Sequence, residues 1–434
     1  DRKRTMLDQQ VTCAPATDTD SPVAWRRVAE GAKILFLVDE MSAITAGGTE
    51  RQLLQMIEIC KSNGMRPWVC VFRNTLWLTP EIAGCPVTHL HIEKLISWRG
   101  FLSLVRLTRW VHKQKPDILQ TVFSEANLIG PCIARLAGVP IVLGTRRNLN
   151  HPRREDPHRW GLRLQTLANL LVNQVIANSR AVLERIVESE GISRRRICVV
   201  YNGIDLSEMR PAPHLRAPMR QTLGMKHDEI LVGNVSGLRS IKGVQLFVDA
   251  AAESYRRDPR LRFVLIGDGE LQEQMEQSIQ RYGLEGVFTL AGAAEDVRPY
   301  LAAFDIAVLC SYAEGFSNSL LEYMACGLPV IATDVGGNRE ALASSGMLIQ
   351  PDVQQLAGAI QVMSAPEVRN HFAACALRQV TNFDVSIAHD RMTRLYSHFL
   401  AAFGSKKRRV AQLIAHMPPR LKKIEEISSE LYDI

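Results

Sequence analysis

What most constrains the fold is an alternation that begins at Lys33 and runs through most of the chain. Short apolar or β-branched runs alternate with longer amphipathic stretches of helical length. The first half offers KILFLV (33–38), WVCVF (68–72), DILQTV (117–122), PIVLG (140–144), QVIAN (174–178) and RICVV (196–200). The second offers ILVGNV (230–235), RFVLIG (262–267), VFTL (287–290), DIAVLC (305–310) and PVIAT (329–333). Runs that are apolar throughout mark strands covered on both faces, which means parallel sheets wrapped by helices. Eleven such runs exceed one ordinary open sheet. At roughly 150 residues per domain, the 434 residues call for two or three domains. Residues 206–228, with Pro211, Pro213 and Pro218, break the alternation and read as a linker.

The expected organisation is two doubly wound α/β domains in tandem, 31–205 and 229–384, joined by that linker. A polar, mobile leader (1–30) precedes them. A helix (385–403) packs back toward the first domain, and a basic, amphipathic tail (404–434) follows. In open sheets of this kind ligands bind beyond the carboxyl ends of the strands, so the loops there carry the chemistry.

Composition removes several classes. A hydrophobic fraction of 46% and a charged fraction of 22% exclude wholesale disorder. The nine cysteines are scattered, without a Cys-x-x-Cys or Cys/His cluster, so neither a metal site nor a disulfide scaffold is expected. A net charge of +7 suits an anionic substrate or a membrane surface. With only 6% aromatic residues it does not suggest nucleic acid. No run approaches the ~20 apolar residues of a membrane-spanning helix. An NAD-dependent oxidoreductase needs a dinucleotide fingerprint after an early strand, and SAITAGGTER does not supply one. Gly267-Asp268-Gly269 lacks the spacing too, and reads as a structural turn.

The most informative segment is SYAEGFSNSLLEYMACGLPVIATDVGGNRE (311–340). Glu314 and Glu322 lie eight positions apart. Ser317, Asn318 and Ser319 are natural helix starters, while Leu320, Leu321 and Met324 supply an apolar face. Glu314 therefore belongs to the loop leaving strand 305–310, and Glu322 to the first turns of the next helix. Backbone N–H groups at that helix start favour an anion. Two readings of Glu322 stand: a ligand for ribose hydroxyls, or the far end of a Ser319-x-x-Glu322 capping box. A second glycine loop, Gly336-Gly337, follows the next strand and leaves room for a phosphate-sized cleft.

EGFSNSLLEYMACGLPVIATDVGG resembles the signature of the retaining glycosyltransferases of family 4. That family has the GT-B fold, two Rossmann-like domains facing a cleft. GGTER (47–51), VIANSRAV (175–182), VYNGID (200–205), LIGDGEL (265–271) and GMLIQPD (346–352) extend the likeness over roughly 33–399, in the family's order.

The resemblance implies roles at matching positions. Glu322 would hold the donor ribose and Glu314 the transferred sugar. The backbone of Phe316, Ser317, Asn318 and Ser319 would support sugar and diphosphate. Gly47 and Gly48 would let the first domain's backbone approach that diphosphate. Arg239 and Lys242, in GNVSGLRSIKG, would neutralise the departing diphosphate. Many members carry arginine five residues before the lysine; this chain has Gly237 there, and Arg239 resembles the arrangement of a variant subgroup. Gly292 and Val297 occupy the nucleobase position.

On the acceptor side Glu125 stands where several relatives carry a histidine. Arg146, Arg147 and Asn148 belong to a basic loop facing the cleft, whose His151 and His158 read as solvated. The stretch 97–115 is a basic amphipathic helix that suits either the sheet or an anionic bilayer.

The expectation is therefore a metal-independent retaining glycosyltransferase without a cofactor. It moves a sugar from a nucleotide-diphosphate donor, UDP-linked, to a saccharide or lipid-linked acceptor in polysaccharide or glycoconjugate biosynthesis. Its expected place is the cytoplasm, with peripheral contact at the inner membrane face open as a further expectation. The alternatives are a GT-B nucleotide-sugar epimerase, for which no acid/base pair at the sugar C2 is recognisable, and a non-catalytic nucleotide-binding protein.

Overall fold

Two sheets account for all eleven apolar runs. The computed structural model describes residues 28–40, 48–73, 81–90, 98–149 and 159–415. The first sheet comprises β1 (Lys33–Val38), β2 (Arg66–Val71), β3 (Glu81–Ile82), β4 (Cys85–His89), β5 (Ile118–Val122), β6 (Ile141–Arg146), β7 (Gln174–Ala177) and β8 (Ile197–Val199). Their order is β3-β4-β2-β1-β5-β6-β7-β8, parallel except for the β3–β4 pair. The second comprises β9 (Ile230–Val235), β10 (Leu261–Ile266), β11 (Phe288–Gly292), β12 (Ile306–Leu309), β13 (Val330–Thr333) and β14 (Met347–Ile349). Its order is β11-β10-β9-β12-β13-β14, with parallel pairing throughout.

The helices that position the site are α1 (Gly48–Ser62), α2 (Trp98–Gln114), α3 (Ser124–Leu136), α4 (Arg159–Leu170), α5 (Arg180–Glu190), α6 (Pro213–Thr222), α7 (Val244–Arg257), α8 (Asn318–Ala325), α9 (Asn338–Leu342) and α10 (Val385–Ala415). Apolar clusters line both faces of each sheet, which is why the strands carry no polar alternation. In β5 and β13 every residue is buried. Among the described residues no helix is long and apolar enough to cross a membrane.

The segment expected as an irregular linker holds α6. Pro213 stands in its first turn, where a missing N–H costs little. Arg216 and Arg220 tie the helix to Asp305 at 2.5 and 2.8 Å, so the segment is docked on the second domain. Helix α10 returns to the first domain: Met392, Leu395 and Tyr396 join its core, and the Tyr396 hydroxyl donates to Gln120 Oε1 at 2.7 Å. The two inter-domain passages touch. Ile204 N–H donates to Phe383 O and Val385 N–H to Ile204 O, both at 2.9 Å. A Cβ on Gly203 would lie 2.6 Å from Val385 Cα, so only glycine allows this approach.

Candidate active site

In the second sheet β9 and β12 are neighbours whose connections leave in opposite directions, the crevice position for a ligand. The loop after β9 ends in a 3₁₀ turn carrying Lys242; the loop after β12 carries Glu314. They meet, with Lys242 Nζ 2.6 Å from Glu314 Oε1. The Ser311 hydroxyl donates to the same oxygen at 2.7 Å. Glu314 is nearly buried, its side chain 9% exposed, and Lys242 is 22% exposed. The β13 loop closes beneath them. Gly336 has φ +53°, and a Cβ there would lie 1.7 Å from the Glu314 carbonyl oxygen.

Helix α8 opens with Ser317 as its N-cap, whose Oγ accepts from Leu320 N–H at 3.4 Å. Ser319 lies inside the helix and donates to Val235 O at 3.1 Å. The capping-box reading of Glu322 therefore falls. Its carboxylate turns to the first domain, where Arg51 Nη1 reaches Oε1 at 2.5 Å. Burial pushes the Glu322 carboxyl upward, and Arg51 opposes the shift.

The first domain meets this half through a continuous polar chain. Arg147, at the end of β6, donates to Gln52 Oε1 at 2.8 Å and to Asn202 Oδ1 at 2.6 Å. Asn202 in turn donates to Phe316 O at 2.9 Å and Asn318 Oδ1 at 2.8 Å. Burial lowers the Arg147 guanidinium to about 10, which leaves it charged at neutral pH. Gly315 presses on the same strand end, since a Cβ there would lie 2.0 Å from Arg147 O. The Phe316 ring is buried between Tyr201 and Phe383, with centroids 5.0 and 5.3 Å away.

Across the seam, Glu340 of α9 accepts from Arg180 N–H and Ala181 N–H, both at 2.8 Å, and from the Tyr201 hydroxyl at 2.9 Å. A second-domain carboxylate thus sits on the positive end of first-domain helix α5. Burial, reinforced by Glu340, pushes the Tyr201 phenol upward.

At the first sheet's own crevice, between β1 and β5, Asp39 accepts from Glu125 N–H at 2.8 Å and Ala126 N–H at 2.5 Å, the start of α3. Burial raises its carboxyl to about 6. Glu125 pairs with Arg73, which also stands 3.6 Å from Glu40.

The structure thus joins Lys242 to Glu314 and sets Glu322, Phe316, Ser317, Asn318 and Ser319 on one helix start. Arg239 opens the turn that holds Lys242; it is exposed and pairs with no carboxylate among the described residues. Gly292 and Val297 are half-buried, and Gly292 O accepts from Gly267 N–H at 2.8 Å. Gly48 opens α1, while Gly47, His151 and His158 lie outside the described residues. Asn148 is exposed. Arg146 departs from the expected cleft position: it is buried, its guanidinium taken by Glu190 at 3.0 Å and Asn169 at 3.1 Å. Successive strand residues face opposite sides, so only Arg147 of this pair can join the cleft chain. Sequence reasoning passed over Arg51, Gln52, Asn202, Asp39, Arg73 and Glu340. Only Arg51 carried a signal, as a cation one turn into the helix opened by Gly48. Among the described residues no group of three His, Cys, Asp or Glu side chains is placed to share a metal ion.

A cleft between two Rossmann-like sheets, with paired acid and cation at the crevice of the second, defines the GT-B class. The chain belongs to family 4 of the glycosyltransferases: the family model described as "Glycosyltransferase Family 4" matches residues 46–208, and "Glycosyl transferases group 1" matches 229–365. It is 28% identical over 306 residues to an Escherichia coli UDP-Gal:alpha-D-GlcNAc-diphosphoundecaprenol alpha-1,3-galactosyltransferase, covering 68% of this chain and 78% of that one. It is also 28% identical over 341 residues to a D-inositol 3-phosphate glycosyltransferase of Frankia alni, covering 73% and 83%. Among solved structures, Anabaena HepE in complex with UDP matches with a TM-score of 0.73 and 27% identity, over 84% of this chain and all of that one. The same protein in complex with UDP-glucose matches equally well.

Proposed function

We propose that this glycosyltransferase moves a sugar from a UDP-sugar to a saccharide or lipid-linked acceptor, with retention at the anomeric carbon. The observation that carries the reading is the contact of Lys242 with Glu314 at the crevice of the second sheet, facing the first domain. The Lys242 ammonium neutralises the diphosphate as the glycosidic C–O bond breaks, a preorganised electrostatic effect. Arg239, exposed beside it, supplies a second cation when the loop meets the donor. Glu314 accepts from a sugar hydroxyl, and Glu322 from the ribose. The leaving phosphate takes the acceptor's proton, so no metal or cofactor enters the scheme. The UDP and UDP-glucose complexes of HepE support a uridine donor. The lipid diphosphate in the name of the E. coli relative supports a lipid-linked acceptor.

A surface on the first domain supports peripheral membrane contact. Trp98, Phe101 and Leu102 of α2 and Leu164, Leu167 and Leu170 of α4 are exposed on helices that flank α3. Neither α2 nor α4 contains an acidic residue and both carry arginines, a composition that suits anionic lipid.

Thermal unfolding with a panel of UDP-, GDP- and ADP-sugars tests the donor. UDP-sugars should raise the midpoint; Glu322→Ala should abolish that rise and Lys242→Ala should weaken it. No response to any nucleotide, or an undiminished response in both variants, overturns the proposal. Nuclear magnetic resonance of the product's anomeric proton reads the stereochemistry, and an inverted product removes retention.

A further inference from the structure

Glu322 is held by the opposite domain. It projects from the buried side of α8, 8% exposed, where an unpaired carboxylate is costly. Its partner belongs to α1, 271 residues earlier in the chain, and among the described residues no other group donates to that carboxylate. Arg51 takes Oε1 alone, leaving Oε2 free to accept a hydroxyl. The Arg51 side chain is 46% exposed and, of the five N–H donors of a guanidinium, spends one on Glu322. Its other donors form no further ion pair among the described residues. Arg51 also stands on the helix that Gly48 opens, so its position is fixed by the first domain and not by the loops that hold the donor.

We infer that Arg51 is a donor-positioning residue lent by the first domain: by pairing with Oε1 it fixes the Glu322 carboxylate in place, so that the nucleotide is held firmly only while the two domains are closed. The inference rests on the nucleotide-sugar reading and adds a residue to it. The position five residues before Lys242 holds Gly237, so the second domain has no cation there. Arg51 brings positive charge to the cleft from the other side.

The test is a double-mutant cycle on the dissociation constant of UDP, measured by calorimetry on the full chain. Arg51→Ala should weaken UDP binding about tenfold, Arg51→Lys should recover part of the loss, and in a Glu322→Gln background, which keeps an acceptor for the ribose, Arg51→Ala should cost nothing further. Unfolding midpoints without nucleotide identify variants that fail to fold, and Arg51→Lys keeps the cycle usable if Arg51→Ala is one of them. A merely structural Arg51 would lower the midpoint and leave the coupling at zero. UDP affinity unchanged in Arg51→Ala and Arg51→Lys, or additive losses in the cycle, overturns the inference while Glu322→Ala still reports on the donor site. A wild-type chain that binds no UDP removes the donor reading itself, and the inference with it.

Discussion

Gly315→Ala separates closure of the cleft from stability of the domains. The new Cβ would stand 2.0 Å from the carbonyl oxygen of Arg147, about 1.4 Å inside ordinary van der Waals contact. That oxygen is backbone, one residue past the end of β6, and also accepts from Asn178 Nδ2 at 3.1 Å, so it cannot swing aside as a side chain would. The two walls must part instead. Overpacking of this kind costs about 1–3 kcal/mol, which lowers the closed population about 5- to 150-fold. Each domain keeps its own core, so the unfolding midpoint should change little. The assay is steady-state transfer: kcat/KM for the donor should fall within that range, while the midpoint stays close to wild type. Gly336→Ala serves as contrast. Its clash with the Glu314 carbonyl lies within one domain, at φ +53°, and should lower the midpoint itself. A Gly315→Ala enzyme with wild-type kcat/KM would refute the idea that this contact defines the working conformation.

Two further tests address the first domain. The Asp39 carboxyl, raised from 3.8 to about 6, holds its proton more tightly folded than unfolded. Its contribution to stability is therefore full below pH about 4, falls as pH rises to about 6, and is level above. The midpoint of the wild type relative to Asp39→Asn should decline across that window, whereas a constant offset at every pH would contradict the buried assignment. Leu164→Glu with Leu167→Glu places two charges on the exposed face of α4, and sedimentation with phosphatidylglycerol vesicles should fall several-fold. Equal sedimentation of variant and wild type would show that lipid lies elsewhere.

The sheets were legible because parallel strands buried on both faces leave apolar runs that no other element explains. What escaped were the pieces without such a run. β4 reads CPVTH and contains a proline, β14 is three residues long, and α6 hides behind Pro213 and Pro218. In the site, Lys242, Glu314 and Glu322 stood out because loop chemistry and a fixed spacing lie within single segments. Arg51 and Asn202 act across the cleft, 271 and 116 residues from Glu322 and Asn318, and no local pattern announces such partners. Arg146 and Arg147 looked alike in sequence; strand alternation sent one into a buried pair with Glu190 and left the other for the seam.

The chain passes between its halves twice, and at Ile204 and Asp384 the passages lie side by side as a parallel bridge. A single tether would let one half swivel freely. Two passages hydrogen-bonded side by side can flex together yet resist twisting, because torsion would shear both hydrogen bonds at once. An opening that kept both bonds would turn about this bridge, like a book on its spine, and would bring Arg51 back to the same carboxylate.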